Sequence, residues 1–293
     1  MSANPEKYAA PLLIIGCVVF GLGSLIVKFV PIGSFAAAWW RLLVAGMVFW
    51  LLMRRFGQRL PQSRAAVCYA LLSGAALGFD LALWHESIHA VGPGISTLLN
   101  SLQIFFLSAI GFLFFGEKLS RLQTANLFLA AAGVAMIAAP EFGRNSGAAW
   151  GFAAGIVSGA MLALSMAAVR KTHQAEPVAL FPLMLLVSAG GILALTLPAL
   201  VFDAHRFYPA TLRDIFLILV YGIVMQCFAW GLIAYAIPLL SLSLTGLLLL
   251  SEPVAALAID FLLLGKPITA VQWCGAALTL FSIYLGSLKS KAH

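Results

Sequence analysis

Two related stretches decide the fold of this chain: FLFFGEKLSRLQ at Phe112–Gln123 and FLLLGKPITAVQ at Phe261–Gln272. They align without a gap at an offset of 149 positions, and they share a Phe-Leu-x-x-Gly frame with a Gln at the same distance downstream. Each begins at the end of a long apolar run and leads into another. The same junction occurs twice, so the sequence predicts two related halves.

The composition places the apolar runs in a membrane. Of 293 residues, 62% are hydrophobic and 9% are charged, whereas soluble domains carry about 25% charged residues. So few polar side chains cannot cover a soluble globule. The formal net charge of +7 comes from Lys and Arg that lie mostly between the runs, so it indicates membrane topology and not nucleic-acid binding.

Ten runs are long enough to cross a bilayer, which requires about 20 mostly apolar residues. Prolines fall in most of the gaps between them, as expected where helices end. The predicted spans are Ala9–Val30, Ser34–Met53, Arg64–Leu83, Gly94–Phe115, Leu122–Ala138, Ala148–Val169, Val178–Leu200, Ile215–Ala236, Leu239–Leu264 and Ile268–Ser287.

The spans divide evenly between the two halves. Residues 8–140 form the first five-helix repeat, residues 141–147 a polar linker, and residues 148–288 the second repeat. Because five is odd, the second repeat enters the membrane upside down. The predicted fold is an all-α integral membrane protein with ten transmembrane helices in two inverted five-helix repeats. Secondary transporters use this plan for alternating access.

The distribution of Lys and Arg predicts the orientation. With the N-terminus inside, eleven of these residues fall in cytoplasmic segments and six in outer ones. The positive-inside rule therefore predicts that both termini are cytoplasmic. We expect a multi-pass protein of the plasma (inner) membrane.

Three sequence features carry a family resemblance: WWRLLVAGMVF at Trp39–Phe49, the repeated junction, and LSEPVAALAIDFLLLGKPIT at Leu250–Thr269. With them the chain resembles the ten-span EamA-type branch of the drug/metabolite transporter superfamily, and within it the YddG type of aromatic amino acid exporter. The resemblance covers essentially the whole chain. It implies a gradient-linked exporter of aromatic amino acids, or of flat cations such as methyl viologen.

Polar residues form a stripe on two repeat-related spans. Ser96, Asn100 and Gln103 share one face of the fourth span, and Thr245 and Glu252 repeat that face in the ninth. Polar side chains avoid lipid, so the stripe is predicted to face a watery cavity or a neighbouring helix. Glu252 is a candidate for holding a proton or a substrate ammonium, with a structural hydrogen bond as the alternative.

Aromatic residues supply a second set of candidates. Trp84 and Trp230 can stack on a flat substrate, and Gln226 lies one turn before Trp230 on the same face. Trp39 and Trp40 are expected to anchor at the membrane interface. These predictions complete the substrate-binding set Trp84, His85, Ser96, Asn100, Gln103, Gln226, Trp230, Thr245 and Glu252.

Arg41 lies near the outer end of the second span. A guanidinium can hold a substrate carboxylate bidentately. Snorkelling to the interface, or an ion pair with Asp80 or Glu86, is the favoured prediction.

WHESIHAVGPG, at Trp84–Gly94, contains the zinc-protease pattern His-Glu-x-x-His. Catalytic zinc also needs a third protein ligand, and no further His follows at protease spacing. We expect His85 and His89 to lie at the outer mouth, with no enzyme activity and no cofactor. An intramembrane zinc hydrolase remains a remote alternative.

Together these features predict a transporter that exports aromatic amino acids and related flat metabolites. The alternatives within the class are other metabolites and cationic drugs. A scaffold or receptor is disfavoured because the chain has no long loop through which to signal. The expected partners are a small-molecule substrate and the lipid bilayer, with monomer and homodimer both left open.

Overall fold

A computed structural model describes residues 6–23, 26–27, 30–91, 93–118, 121–138, 149–264 and 269–289. The regular elements within these ranges are helices, which confirms the all-α prediction. The α-helices are α1 (Glu6–Gly21), α2 (Ser34–Arg55), α3 (Arg64–Val91), α4 (Pro93–Ser101), α5 (Gln103–Phe115), α6 (Arg121–Ala138), α7 (Ala149–Ala175), α8 (Leu180–Phe202), α9 (Leu212–Val220), α10 (Trp230–Ala236), α11 (Leu242–Leu249), α12 (Ser251–Leu264) and α13 (Ala270–Lys289).

The helices have the length and surface of membrane spans. Five helical stretches are long and apolar enough to cross a bilayer, namely Ser34–Arg55, Arg64–Val91, Ala149–Ala175, Leu180–Phe202 and Leu212–Leu239, and shorter apolar helices accompany them. Large apolar side chains such as Leu193, Leu197 and Phe114 are exposed on the outside of the bundle. An apolar belt of this kind suits contact with lipid chains.

The fourth and ninth spans were predicted as continuous helices, and both are interrupted near the middle. At Leu102 φ is −62° and ψ is −12°, and at Leu250 φ is −66° and ψ is −6°. In both places ψ departs from the α-helical value of about −42°, and the amide donates to the carbonyl three residues earlier at 3.2 Å. These kinks lie at nearly equivalent positions of the repeat, and α5 begins with Gln103 where α12 begins with Ser251-Glu252.

Glycine in the repeated junction ends a helix. Gly116 follows α5 with φ +66°, a left-handed conformation that only glycine adopts readily. The amide of Glu117 then donates to the Gly111 carbonyl at 3.0 Å. The corresponding junction at 265–268 lies outside the described residues.

The eighth span differs from the regular helix that was predicted for it. Between α9 and α10, residues Tyr221–Ala229 form a π-helix. Such wide turns are rare and often occur at functional sites. This one brings Tyr221, Gln226 and, just after it, Trp230 into the interior of the bundle.

Close helix packing centres on α3, which lies against α7 and α8. A Cβ on Gly74 would collide with the Val187 carbonyl of α8, and one on Gly190 would collide with the Leu71 carbonyl of α3. Small residues of this kind let membrane helices approach backbone to backbone. The close contact with α8 holds α3 in place, and α3 carries Asp80 and Trp84.

The third span is longer than predicted. The sequence placed its end at Leu83, but α3 continues to Val91 and therefore includes the whole His-Glu-x-x-His pattern. His85 and Ser87 are buried on this extension, because α3 packs against α7 in this region, where Ser87 Oγ donates to the Gly151 carbonyl at 2.8 Å.

Candidate functional site

A central cavity lies where the kinked helices meet the π-helical span. It has room for about one water molecule, and its walls combine aromatic rings, apolar side chains, one amide and two carboxyl groups. The lining residues are Phe20, Asp80, Leu81, Trp84, Asn100, Leu162, Trp230, Ile233, Leu249 and Glu252.

Two carboxyl groups, those of Asp80 and Glu252, line this cavity. Asp80 is 4% exposed, and its Oδ1 accepts a hydrogen bond from Asn100 Nδ2 at 2.9 Å. The same Nδ2 donates to Ser158 Oγ at 2.9 Å, which fixes the amide. Glu252 is partly exposed to the cavity. Within the described part of the chain, Asp80 and Glu252 form no ion pair.

Arg41 lies inside the bundle beside this cavity, so the prediction that it snorkels was wrong. The side chain is 1% exposed, and its Nε donates to Gln226 Oε1 at 2.7 Å. Its Cζ lies 4.7 Å from the Phe20 ring centroid and 4.4 Å from that of Tyr221. The guanidinium is held between two aromatic rings, an arrangement that stabilises a buried cation.

The alternative prediction for Arg41, an ion pair with Asp80 or Glu86, was also wrong. Among the described residues, the ion pair found joins Arg170 and Glu117. Glu86 instead accepts a hydrogen bond from Trp150 Nε1 at 3.3 Å. Arg41 faces the interior because Gln226, Phe20 and Tyr221 surround it there.

His85 connects Tyr221, which lies against Arg41, to Ser34 of α2. Its Nδ1 lies 3.1 Å from the carbonyl oxygen of Ser34, and a carbonyl only accepts, so Nδ1 carries a proton. In the neutral ring Nε2 is then the acceptor for the Tyr221 hydroxyl at 2.8 Å.

Both nitrogens of His85 are thus engaged. No group of three or more His, Cys, Asp or Glu suited to a metal occurs among the residues that the structure describes. The zinc pattern therefore acts as part of a hydrogen-bonded helix there.

A second small cavity has a lining that includes Ser34, His85, His89 and Tyr221. Arg41 contacts the Tyr221 ring, and Tyr221 binds His85, so we call these three residues the Arg41–Tyr221–His85 layer. Arg41 also contacts Phe20, which lines the central cavity, whereas Tyr221 and His85 line the second one.

At the other end of the bundle a polar contact joins both halves. Arg170 Nη1 donates to Glu117 Oε1 at 2.5 Å, and the same carboxylate oxygen accepts from the Leu242 amide at 2.9 Å. The Arg170 guanidinium also lies 5.0 Å from the Phe115 ring centroid. We call these residues the Glu117 latch.

The predicted site residues fall into two groups. Trp84, Asn100, Trp230 and Glu252 line the central cavity, and His85 lines the second one. The other predicted residues, Ser96, Thr245, Gln226 and Gln103, are absent from both linings. Ser96 Oγ donates to the Trp84 carbonyl at 3.2 Å, and Thr245 Oγ1 donates to the Ser241 carbonyl at 2.9 Å. Gln226 binds Arg41, and Gln103 is buried.

Six of the ten lining residues were outside the predicted set, and two of them, Asp80 and Phe20, bear on the chemistry of the cavity. Asp80 is a carboxylate in the interior of a predicted span, and such residues are functional candidates by default. From the sequence, Asp80 was predicted only as a possible ion-pair partner for Arg41. Phe20 carried no signal, because one phenylalanine in an apolar run looks like any other.

Interrupted helices at repeat-related positions of a helical bundle are a plan that secondary transporters use. The model of the EamA-like transporter family matches residues 7–139 and again residues 145–288. The chain therefore belongs to the EamA-like transporter family, part of the drug/metabolite transporter superfamily.

Two further comparisons complete this assignment. A solved structure described only as the crystal structure of a protein superposes with a TM-score of 0.77 at 16% identity, covering 96% of this chain and 98% of the other, which shows a shared fold. No curated protein matches the sequence significantly.

Proposed function

We propose that this transporter moves aromatic amino acids, or similar flat metabolites that carry an amino group, by alternating access. One observation carries the proposal: the central cavity places aromatic rings next to two membrane-embedded carboxylates. In this conformation the cavity has room for about one water molecule, so a substrate would bind there only when the walls move apart during alternating access.

The rings suit a flat substrate. Phe20 and Trp230 lie with ring centroids 6.1 Å apart and planes inclined by 49°, and Trp84 lines the same space. Aromatic pairs favour offset and tilted contacts of this kind. A substrate ring inserted here would gain contacts on more than one face.

The carboxyl groups suit an amino group. Asp80 and Glu252 line the cavity and form no ion pair within the described residues, and their oxygens can accept hydrogen bonds from an ammonium. Ionisable groups inside a membrane protein mark substrate and ion pathways. The same carboxyl oxygens support a second candidate, a flat cationic drug.

The direction and location of transport are also part of this proposal. The positive-inside count places the Glu117 latch on the cytoplasmic face of the plasma membrane and the second cavity on the outer face. Export would then require the latch to open for loading and the Arg41–Tyr221–His85 layer to open for release. In this arrangement the two layers are the two gates of one path.

Counterflow of labelled phenylalanine into proteoliposomes tests the proposal. The wild-type protein is expected to accumulate label, and Glu252→Gln or Asp80→Asn is expected to reduce the initial rate at least about tenfold, as loss of a buried charge partner does. Glu176→Gln is the matched control, because this carboxylate instead caps the amides of Gln62 and Ser63, outside the cavity. If neither aromatic amino acids nor flat cations are exchanged, the proposal is wrong.

A further inference from the structure

We propose that Arg41, Gln226 and Trp230 form the subsite that binds the carboxylate of the substrate. This inference rests on the proposed function, because it names the group by which an amino acid is distinguished from an amine. Its basis is a set of hydrogen-bond donors that have no partner in the folded protein.

Three buried nitrogens are unpartnered in the described part of the chain: Arg41 Nη2, Gln226 Nε2 and Trp230 Nε1. All three are donors. Buried donors are nearly always satisfied, because an unpaired one costs about 1–3 kcal/mol. Three such donors on neighbouring residues indicate an acceptor that arrives from outside the protein.

The three residues are held together by contacts already described. Gln226 Oε1 accepts from Arg41 Nε, which orients the Gln226 amide and leaves its Nε2 free. Trp230 follows Gln226 by one turn, and Phe20 contacts both the Arg41 guanidinium and the Trp230 ring. Phe20 therefore links the Arg41 guanidinium to the Trp230 ring, and Phe20 and Trp230 line the central cavity.

The chemistry of this set favours a carboxylate. Phe20 and Tyr221 both lie against the guanidinium, and its Nη2 has no hydrogen-bond partner in the folded protein. Planar carboxylates bind guanidinium edges through two parallel N–H···O bonds. The amide and the indole add neutral donors, which suit an acceptor and not a cation.

The subsite also complements the negative side of the cavity. Arg41 lies within electrostatic range of both Asp80 and Glu252. An α-amino acid carries its ammonium and its carboxylate on one carbon, so it needs a positive and a negative subsite close together. This site has both, with aromatic walls for the side chain.

Competition in the counterflow assay provides the test. Unlabelled phenylalanine, phenylalaninamide and phenylethylamine share the ring and the amino group, and only phenylalanine has a carboxylate. In the wild-type protein we expect phenylalanine to compete at least about tenfold better than the other two, as a charge-assisted pair predicts. Equal competition by all three would overturn the carboxylate subsite while leaving the proposed function intact.

Two variants separate the donors from the rings. Trp230→Phe keeps an aromatic wall and removes one donor, so the ratio of competition by phenylalanine to competition by phenylethylamine should fall about 2- to 10-fold. Trp39→Phe is the matched control, since its Nε1 donates to Thr196 outside the cavity, and the preference should stay at the wild-type value. A Trp230→Phe protein with the wild-type preference would contradict the assignment.

Arg41→Gln should abolish the preference altogether. Its folding is checked by the thermal unfolding midpoint in detergent, and the Trp230→Phe result decides the question if this variant does not fold. If the wild-type protein exchanges neither phenylalanine nor the two amines, the proposed function itself fails, an outcome distinct from loss of carboxylate preference.

Discussion

Glu117→Gln is expected to open the latch that joins the two halves. The substitution removes the negative charge that pairs with Arg170. Glu117 Oε1, which accepts from Arg170, also accepts from the Leu242 amide. The side chains of Arg170 and Glu117 are 22% and 12% exposed, so their pair lies between the exposed limit of about 0.2–1 kcal/mol and the value of about 1.5–3 kcal/mol for hydrogen bonds to charged groups. Glutamine keeps one acceptor for Leu242.

A loss of about 1–2 kcal/mol follows from these bounds, which raises the ratio of open to closed latch by about 5- to 30-fold. The assay is the rate at which a membrane-impermeant maleimide labels the Thr245→Cys variant, in a protein in which Cys68 and Cys274 have been replaced by serine. Thr245 is fully buried on α11, so a cysteine there reacts only when the latch opens. Labelling should accelerate by the same factor.

A matched control and a double-mutant cycle decide whether the Arg170–Glu117 pair is responsible for the change in labelling rate. Glu176→Gln makes the same chemical change at a carboxylate that caps other amides, and it should leave the labelling rate unchanged. Arg170→Gln should act like Glu117→Gln, and the double variant should add little, since both remove one interaction. Fully additive effects, or equal acceleration by Glu176→Gln, would refute the reasoning.

Two further predictions concern stability and are measured by thermal unfolding in detergent. Gly74→Ala should destabilise the protein by about 1–3 kcal/mol, because its methyl would press against the Val187 carbonyl, whereas Gly231→Ala, with nothing within 4 Å of the added carbon, should not; equal midpoints for the two would contradict the close packing. Tyr221→Phe should cost about 1–3 kcal/mol, because it leaves buried His85 Nε2 without its donor, and an unchanged midpoint would show that the hydroxyl contributes nothing.

Local sequence signals located the helices and their junctions well. The apolar runs marked the spans, and the repeated glycine marked a helix end because Gly116 needs a positive φ. The kinks at Leu102 and Leu250 were both missed. Leucine is a good helix former and no proline lies within a turn of Leu102, so the first kink had no local signal. The second had one, because Pro253 lacks an amide donor and clashes with the carbonyl four residues earlier.

The candidate site was predicted only in part, because some of its residues have a local sequence signal and others depend on contacts with distant residues. Trp84, Asn100, Trp230 and Glu252 stand out as polar or amphipathic side chains in apolar runs, and all of them line the central cavity. The position of Arg41 depends on a partner 185 residues away. A rule based on the distance from the helix end favoured snorkelling, and tertiary contacts overrode it.

That separation has a consequence for how the protein is made. Arg41 enters the membrane with the second span, but Gln226 and Tyr221 belong to a segment synthesised 185 residues later, about 10–40 s at ordinary translation rates. An arginine disfavours insertion of a span, by about 2.5–3.5 kcal/mol at the centre and by less toward the ends, where Arg41 lies. The nascent chain must therefore shelter this cation by other means, such as water, lipid phosphate or an insertion factor, until its eighth span emerges. Chains truncated before that point would display an unsatisfied charge to the machinery that degrades incomplete membrane proteins.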